Sequence, residues 1–456
     1  MSRRRHPCGT VPSGRALARG LWGLGAVLGA ALGGCESIAG IRDLSPRGID
    51  ASADVVSIPI SDAAVLPDVP TIPLPDGGPI ITTPDGGTIS AVLPRRLALG
   101  STHSCALGTD GRVFCWGSGA SGQLGTGTSG SRAEGKPVPG LKNIVSVVAG
   151  TAHSCALDTT GRVYCWGRSD QGQLGGSPAA VGAPVAVDLQ GARAMQIAAG
   201  SIHSCALLVG GKVRCWGGNG FGQLGNGTTD GGSAVVEPTS LDSVTALFGG
   251  GFFTCALKGE DAPFCWGDNG FGQLGDRTKT TRPTPVNVRD VAFATRDMSL
   301  GTYTSCAVAS TGALFCWGRN RAIGDPAPQG IVVPMAGSAA EFTSPAAVGA
   351  DAGAPLVVGI ATGAAHACAR TLSDHAVCWG SNLRAQLAVD SDGGAVAGFN
   401  DVSALAGAVR EVAVGLGHSC ALAGADIFCW GNNDLAQAGA AAGAPRPKPG
   451  VVTLSP

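Results

Sequence analysis

From Leu97 onward the chain alternates short apolar segments with Gly-rich polar turns. The first unit reads Ser104-Cys105-Ala106-Leu107, then Thr109-Asp110-Gly111, then Val113-Phe114-Cys115-Trp116-Gly117. Two apolar runs around such a tripeptide predict a β-hairpin with a three-residue loop. Gly111 then takes the left-handed conformation that the loop requires. Gly161, Gly211 and Gly312 repeat that position. Before these units a single apolar run, Leu21 to Leu32, stands apart.

The unit occurs seven times. Cys-Trp-Gly begins at Cys115, Cys165, Cys215, Cys265, Cys316, Cys378 and Cys429. An upstream Cys followed by Ala stands at Cys105, Cys155, Cys205, Cys255, Cys306, Cys368 and Cys420. A Gly precedes each upstream Cys by five residues, and successive copies lie 50, 50, 50, 51, 62 and 52 residues apart. Seven copies at this period predict a propeller or a solenoid. Cys105 and Cys115 lie symmetrically about Asp110, so the hairpin sets them opposite each other, within disulfide reach. The seventh copy has one residue fewer between its cysteines and offers Gly424-Ala425 as a two-residue loop, which preserves the register. Seven intra-hairpin disulfides are therefore expected, each stabilising by roughly 2–3 kcal/mol through loop closure. Buried free thiols filling small core spaces are the alternative. Zinc is disfavoured because Cys-x-x-Cys is absent.

Composition supports a β-rich repeat protein. The 456 residues are 44% hydrophobic and 14% charged, with 74 Gly and 4 Met, which excludes a disordered chain and disfavours a helical one. Length alone suggests about three domains, but the repeats override that expectation.

Residues 1–34 read as an export signal. Arg3, Arg4, Arg5, Arg15 and Arg19 precede the apolar run, which is too short to span a bilayer. The run ends in Leu32-Gly33-Gly34-Cys35, which resembles a bacterial lipobox and marks Cys35 for lipidation. An ordinary secretory signal is the alternative. Without residues 1–34 the chain has 26 basic and 32 acidic residues, a net charge of −6, and no basic run remains. Nucleic-acid binding is therefore disfavoured. Residues 35–94, rich in Pro, Gly and Asp, read as a tether, and residues 95–456 as the repeat domain.

The repeats resemble the RCC1-repeat family, whose units combine Gly-x-x-His-Ser/Thr, a hairpin with Trp-Gly, and Gly-Gln-Leu-Gly. The last element begins here at Gly122, Gly172, Gly222 and Gly272. The resemblance implies an all-β, seven-bladed β-propeller with four strands per blade, and Val451 to Leu454 as the outer strand of the last blade. Function does not transfer with the fold. The family's eukaryotic founder is a nucleotide exchange factor for a nuclear GTPase that docks on chromatin, a setting that an exported acidic protein would not meet. A plant UV-B photoreceptor of the family uses Trp just after the repeat Gly, where this chain has Ser101, Thr151, Ser201, Gly251, Thr302, Ala364 and Leu416. A secreted bacterial relative inhibits β-lactamases.

No catalytic triad, paired carboxylates or phosphate loop occurs, so no catalytic residue, cofactor or metal is expected and the chain is not read as an enzyme. The repeat His residues (His103, His153, His203, His366 and His418) suggest a ring, but Phe253 and Thr304 break it. Hydrogen bonding between blades is the expected role for these His, and packing between blades for the repeat Trp. Ile202, Phe221, Phe252, Phe253, Phe271 and Tyr303 cluster in copies three to five, although aromatics are only 5% of the chain. They form the candidate binding patch, with local repacking between blades as the alternative. Copies five to seven lose Gly-Gln-Leu-Gly, so their loops are expected to be reshaped. The functional expectation is a monomeric, lipid-anchored envelope propeller that binds a protein through one rim. A proteinaceous enzyme inhibitor and a carbohydrate-binding or wall-acting protein are the alternatives.

Overall fold

The computed structural model describes residues 94–455 apart from 177–181, 260–262, 292, 320–340, 349–354 and 390–394. The expected signal, the lipidation site Cys35 and the tether up to residue 93 lie outside the described residues. Each repeat forms one four-stranded antiparallel sheet, and seven such sheets make a seven-bladed β-propeller. In blade one the inner strand is Pro94–Leu99, the second His103–Gly108, the third Val113–Gly117 and the outer Arg132–Pro137.

The second and third strands are the expected hairpin. Leu107 pairs with Val113, and Gly111 closes the loop at φ 74°. Blade six uses Asp374 in that place at φ 59°, and blade seven turns through Gly424-Ala425 between Ala423 and Asp426. Every upstream Cys faces its Cys-Trp-Gly partner directly, with Cα atoms 4.0–4.1 Å apart, and all seven pairs are disulfides. Seven disulfides indicate an oxidising environment. No helix among the described residues is long and apolar enough to cross a membrane.

Each second strand is buried on both faces because a blade packs against it on either side. Side chains alternate between those neighbours. Cys105, Leu107, Val113 and Cys115 face blade two, where they meet Ala156 and Trp166 in one cluster. Ala106 and Trp116 face blade seven, against Cys420, Leu422, Ile427 and Cys429. The core therefore lies in the junctions between blades rather than within any one blade. A small Ala after each Cys leaves room for the neighbouring disulfide.

The ring closes in two places. At the axis, Leu416 N–H donates to Gly100 O at 3.4 Å, continuing a series in which Thr151 N–H donates to Ser201 O and Ser201 N–H to Gly251 O. At the periphery, the outer strand of blade seven is Arg446–Val451, and the chain then crosses to blade one. Gly135 N–H donates to Thr453 O at 3.0 Å and Ser455 N–H to Gly135 O at 2.9 Å, a parallel bridge that seats Leu454 over Trp116. Of the expected outer strand Val451 to Leu454, Val451 and Val452 do pair with blade seven, Val452 N–H donating to Ile427 O at 2.9 Å, while Thr453 and Leu454 form a latch on blade one. Gly135 permits the latch because a Cβ there would meet Leu454.

Candidate functional site

The repeat His residues are bound into the blade junctions. His103 Nε2 lies 2.8 Å from Ser154 Oγ, His153 Nε2 2.9 Å from Ser204 Oγ, and His203 Nε2 2.9 Å from Thr254 Oγ1. His366 and His418 make the same contact with Ser419 and Ser104. Each hydroxyl gives its own proton to a Gln carbonyl, as Ser204 does to Gln173 O at 3.0 Å and Thr254 to Gln223 O at 2.9 Å. The hydroxyl therefore accepts from the imidazole, which fixes the Nε2–H tautomer. Burial pushes His103, His203, His366 and His418 down to about 3, and His153 to about 4. These imidazoles are neutral, and each ring lies against the Gly three residues upstream or, in blade six, a little further from it. Phe253 occupies the equivalent position in blade four and is fully buried, so it contributes no surface to the patch expected around it. Among the described residues no group of His, Cys, Asp or Glu is arranged to hold a metal ion.

The repeat Trp residues also span junctions. Trp166, Trp216, Trp266 and Trp317 donate to the carbonyls of Gln123, Gln173, Gln223 and Gln273 in the preceding blade, at 2.9–3.0 Å. The Gln side chain does further work within its own turn. Its Oε1 accepts from the backbone N–H two residues upstream, at 3.0 Å for Phe221 and 2.9 Å for Phe271. Gly-Gln-Leu-Gly is therefore a brace that presents the residue before it on one face of the propeller. The presented residues are Ser121, Gln171, Phe221, Phe271, Arg384 and Leu435.

The altered copies in blades six and seven keep this turn, contrary to the expectation that they had been reshaped. Ala385 (φ 59°) and Ala388 (φ 58°) adopt the conformation of the Gly residues they replace, as does Ala436 (φ 63°). Gln386 O still accepts from Trp430 Nε1 at 2.9 Å, and Gln437 O from Trp116 Nε1 at 3.0 Å. The corresponding segment of blade five lies outside the described residues. Trp379 has an Nε1 without an acceptor among the described residues.

The braced turns share their face with the loops between inner and second strands. Two aromatic pairs cross blade junctions there. Phe221 of blade three lies 5.3 Å from Phe252 of blade four, and Phe271 of blade four lies 4.9 Å from Tyr303 of blade five. The Arg319 guanidinium sits 4.8 Å from the Phe271 ring and 5.5 Å from Tyr303. Phe221 is 42% exposed. Ile202 and Phe252 also border a cavity of about 380 Å³ at the propeller axis, which Ser101, Thr151, Ser201, Thr302 and Leu416 help to line. Five of the six candidate residues therefore come together on one face. Leu383, Leu416 and Leu435 extend that face into blades six and seven and are exposed. The aromatic signal in the sequence did not reveal these aliphatic residues, although alignment of the repeats places Leu435 at the position of Phe221.

Seven hairpin blades, cores at their junctions and one face of braced turns define a repeat propeller of the binding-scaffold class. The chain belongs to the RCC1-like family: the RCC1-like domain model matches residues 84–387. No curated protein matches the chain. Among solved structures it is similar to human WBSCR16, with 22% identity over 75% of this chain and 94% of that one and a TM-score of 0.64. It is also similar to yeast RCC1 (Prp20), in a structure with Kap60 bound, with 19% identity over 87% and 91% of the two chains and a TM-score of 0.65. A second structure of Prp20p from Saccharomyces cerevisiae, described with its binding to Gsp1p and histones, matches with 21% identity over 79% and 87% and a TM-score of 0.65. At these identities the likeness shows the fold.

Proposed function

We propose that the chain is an exported, lipid-anchored propeller that binds a protein partner through the face bearing the braced turns. The observation that carries this reading is the pair of cross-junction aromatic contacts, Phe221–Phe252 and Phe271–Tyr303. Buried aromatics stabilise a core, but these lie at least partly in solvent on one face of the propeller, as anchor residues of interfaces do. Yeast RCC1 (Prp20), similar in fold, is seen with Kap60 bound, which fits a protein as the partner class. Export and anchoring rest on the basic, apolar and Leu-Gly-Gly-Cys35 sequence at the start of the chain and agree with the disulfides.

The test is crosslinking on intact envelopes that compares the wild type with Phe221→Ala/Phe252→Ala/Tyr303→Ala. A discrete crosslinked protein that disappears in the variant, with its thermal midpoint retained, is the expected result. A crosslinked protein retained by the variant would move the site off this face. Labelled palmitate incorporated into the wild type and lost in Cys35→Ala is the expected result for the anchor.

A further inference from the structure

We infer that the cavity at the propeller axis is a separate binding site, which takes an uncharged, largely apolar small molecule with one hydrogen-bonding edge. Its volume of about 380 Å³ falls within the range of about 300–1,000 Å³ usual for small-ligand sites. It adjoins the proposed docking face through Ile202 and Phe252 but does not rest on that reading.

The walls are in place before any ligand arrives. The loops between inner and second strands crowd together at the axis because each starts with a Gly. A Cβ at Gly100 would meet the His103 ring and Gly150 O, and one at Gly200 would meet His203 and Gly250 O. The backbone groups of these loops satisfy one another. Ser101 N–H donates to Thr151 O at 3.3 Å, Gly251 N–H to Gly301 O at 3.0 Å and Thr302 N–H to Gly363 O at 3.3 Å. A preformed wall spares a ligand the free energy of ordering its own site.

Residue types then set what the wall can bind. Among the described residues no charged side chain lines the cavity. The hydroxyls of Ser101, Thr151 and Ser201 stand on adjacent blades, half-buried, and bond to no other described residue. Blades four, six and seven contribute Phe252, Ala364 and Leu416, and the ends of the inner strands contribute Leu99, Leu300 and Val414. Thr302 adds a fourth hydroxyl from blade five. A charged group would leave water here for a wall without a counter-charge, which is unfavourable. A sugar fits less well, because its many hydroxyls need more partners than this wall offers. An apolar body against Phe252 and the aliphatic side chains, with a hydroxyl, carbonyl or N–H edge turned to Ser101, Thr151 and Ser201, satisfies both sides.

Equilibrium dialysis of the purified chain against two dyes of similar shape tests the site. Phenylnaphthylamine is uncharged and carries one N–H; anilinonaphthalene sulfonate adds an anionic group to the same body. The wild type should bind one equivalent of the neutral dye beyond any taken up by Ser201→Trp, which fills the cavity from a half-buried wall position and should keep its thermal midpoint. Leu416→Trp should abolish the same equivalent from the opposite wall. The sulfonate should bind there at least tenfold more weakly, and Ser201→Lys should reverse the preference between the dyes. Phe221→Ala, on the docking face but outside the cavity, should leave the neutral dye unaffected. Equal affinity for the two dyes, binding that survives both Trp substitutions, or no saturable binding at all would overturn the inference. Loss of the neutral dye in Phe221→Ala would overturn it too, by placing the dye on the docking face. The crosslinking of a protein partner stands or fails separately from each of these outcomes.

Discussion

At the residue scale, one hydrogen-bond relay explains most of the repeat signature. Each complete relay runs from a His to a hydroxyl in the next blade and on to a Gln carbonyl that also takes the Trp indole, as in His153, Ser204, Gln173 and Trp216. Its histidines give folding a defined pH dependence. Their folded pKa values lie near 3–4, below an unfolded value near 6.5, so the unfolded chain binds more protons between those limits. Stability is therefore complete only well above about pH 6.5 and falls as pH drops through that value, with each His adding a slope of up to about 1.4 kcal/mol per pH unit. Asp297, which burial pushes up, contributes with the opposite sign, as one group against five. Urea midpoints at pH 7.5, 6.5 and 5.5 should fall modestly over the first interval and more steeply over the second; a flat profile to pH 5.5 would refute the assignment.

At the element scale, the brace described in six blades separates what is presented from what supports it. The Gln holds the backbone while the preceding side chain is free to vary from Ser121 to Phe221 to Leu435. Two braces hold three Ala residues at φ 58–63°, where an L side chain is strained. Ala385→Gly, Ala388→Gly and Ala436→Gly should each raise stability by roughly 0.5–1 kcal/mol, the relief of strain outweighing the added freedom of the unfolded chain. The same substitution at Ala413, in the extended inner strand of blade seven, should lower stability. Equal effects at these sites, measured by chemical denaturation, would show that the turns are not strained.

At the scale of the whole molecule, seven similar blades share no single core, so stability depends on joining the first to the last. The latch through Thr453, Leu454 and Ser455 does this at the rim, while Leu416 meets Gly100 at the axis. Leu454→Asp should lower the thermal midpoint by several degrees and expose the C-terminal segment to carboxypeptidase; an unchanged midpoint would place closure at the axis alone. Alkylation followed by intact mass should find the fourteen repeat cysteines protected, and reductant should lower the midpoint further than any single paired substitution.

The period, the Gly-Asp loops and the cysteine spacing are local features that neighbouring residues impose on one another. They determined the all-β class, the blade count, the hairpin register and the disulfide partners without reference to the rest of the chain. Contacts between blades are not local, and only the tertiary structure decided them. It placed Phe253 in a junction, where a large apolar side chain fills the space of a His, and left Phe221 in solvent. Composition cannot separate those two Phe, because only packing against the next blade distinguishes them. The same holds for Leu416 and Leu435, unremarkable as aliphatics until the ring sets them on the aromatic face. It holds also for Arg319, whose environment comes from rings 16 and 48 positions away in the chain.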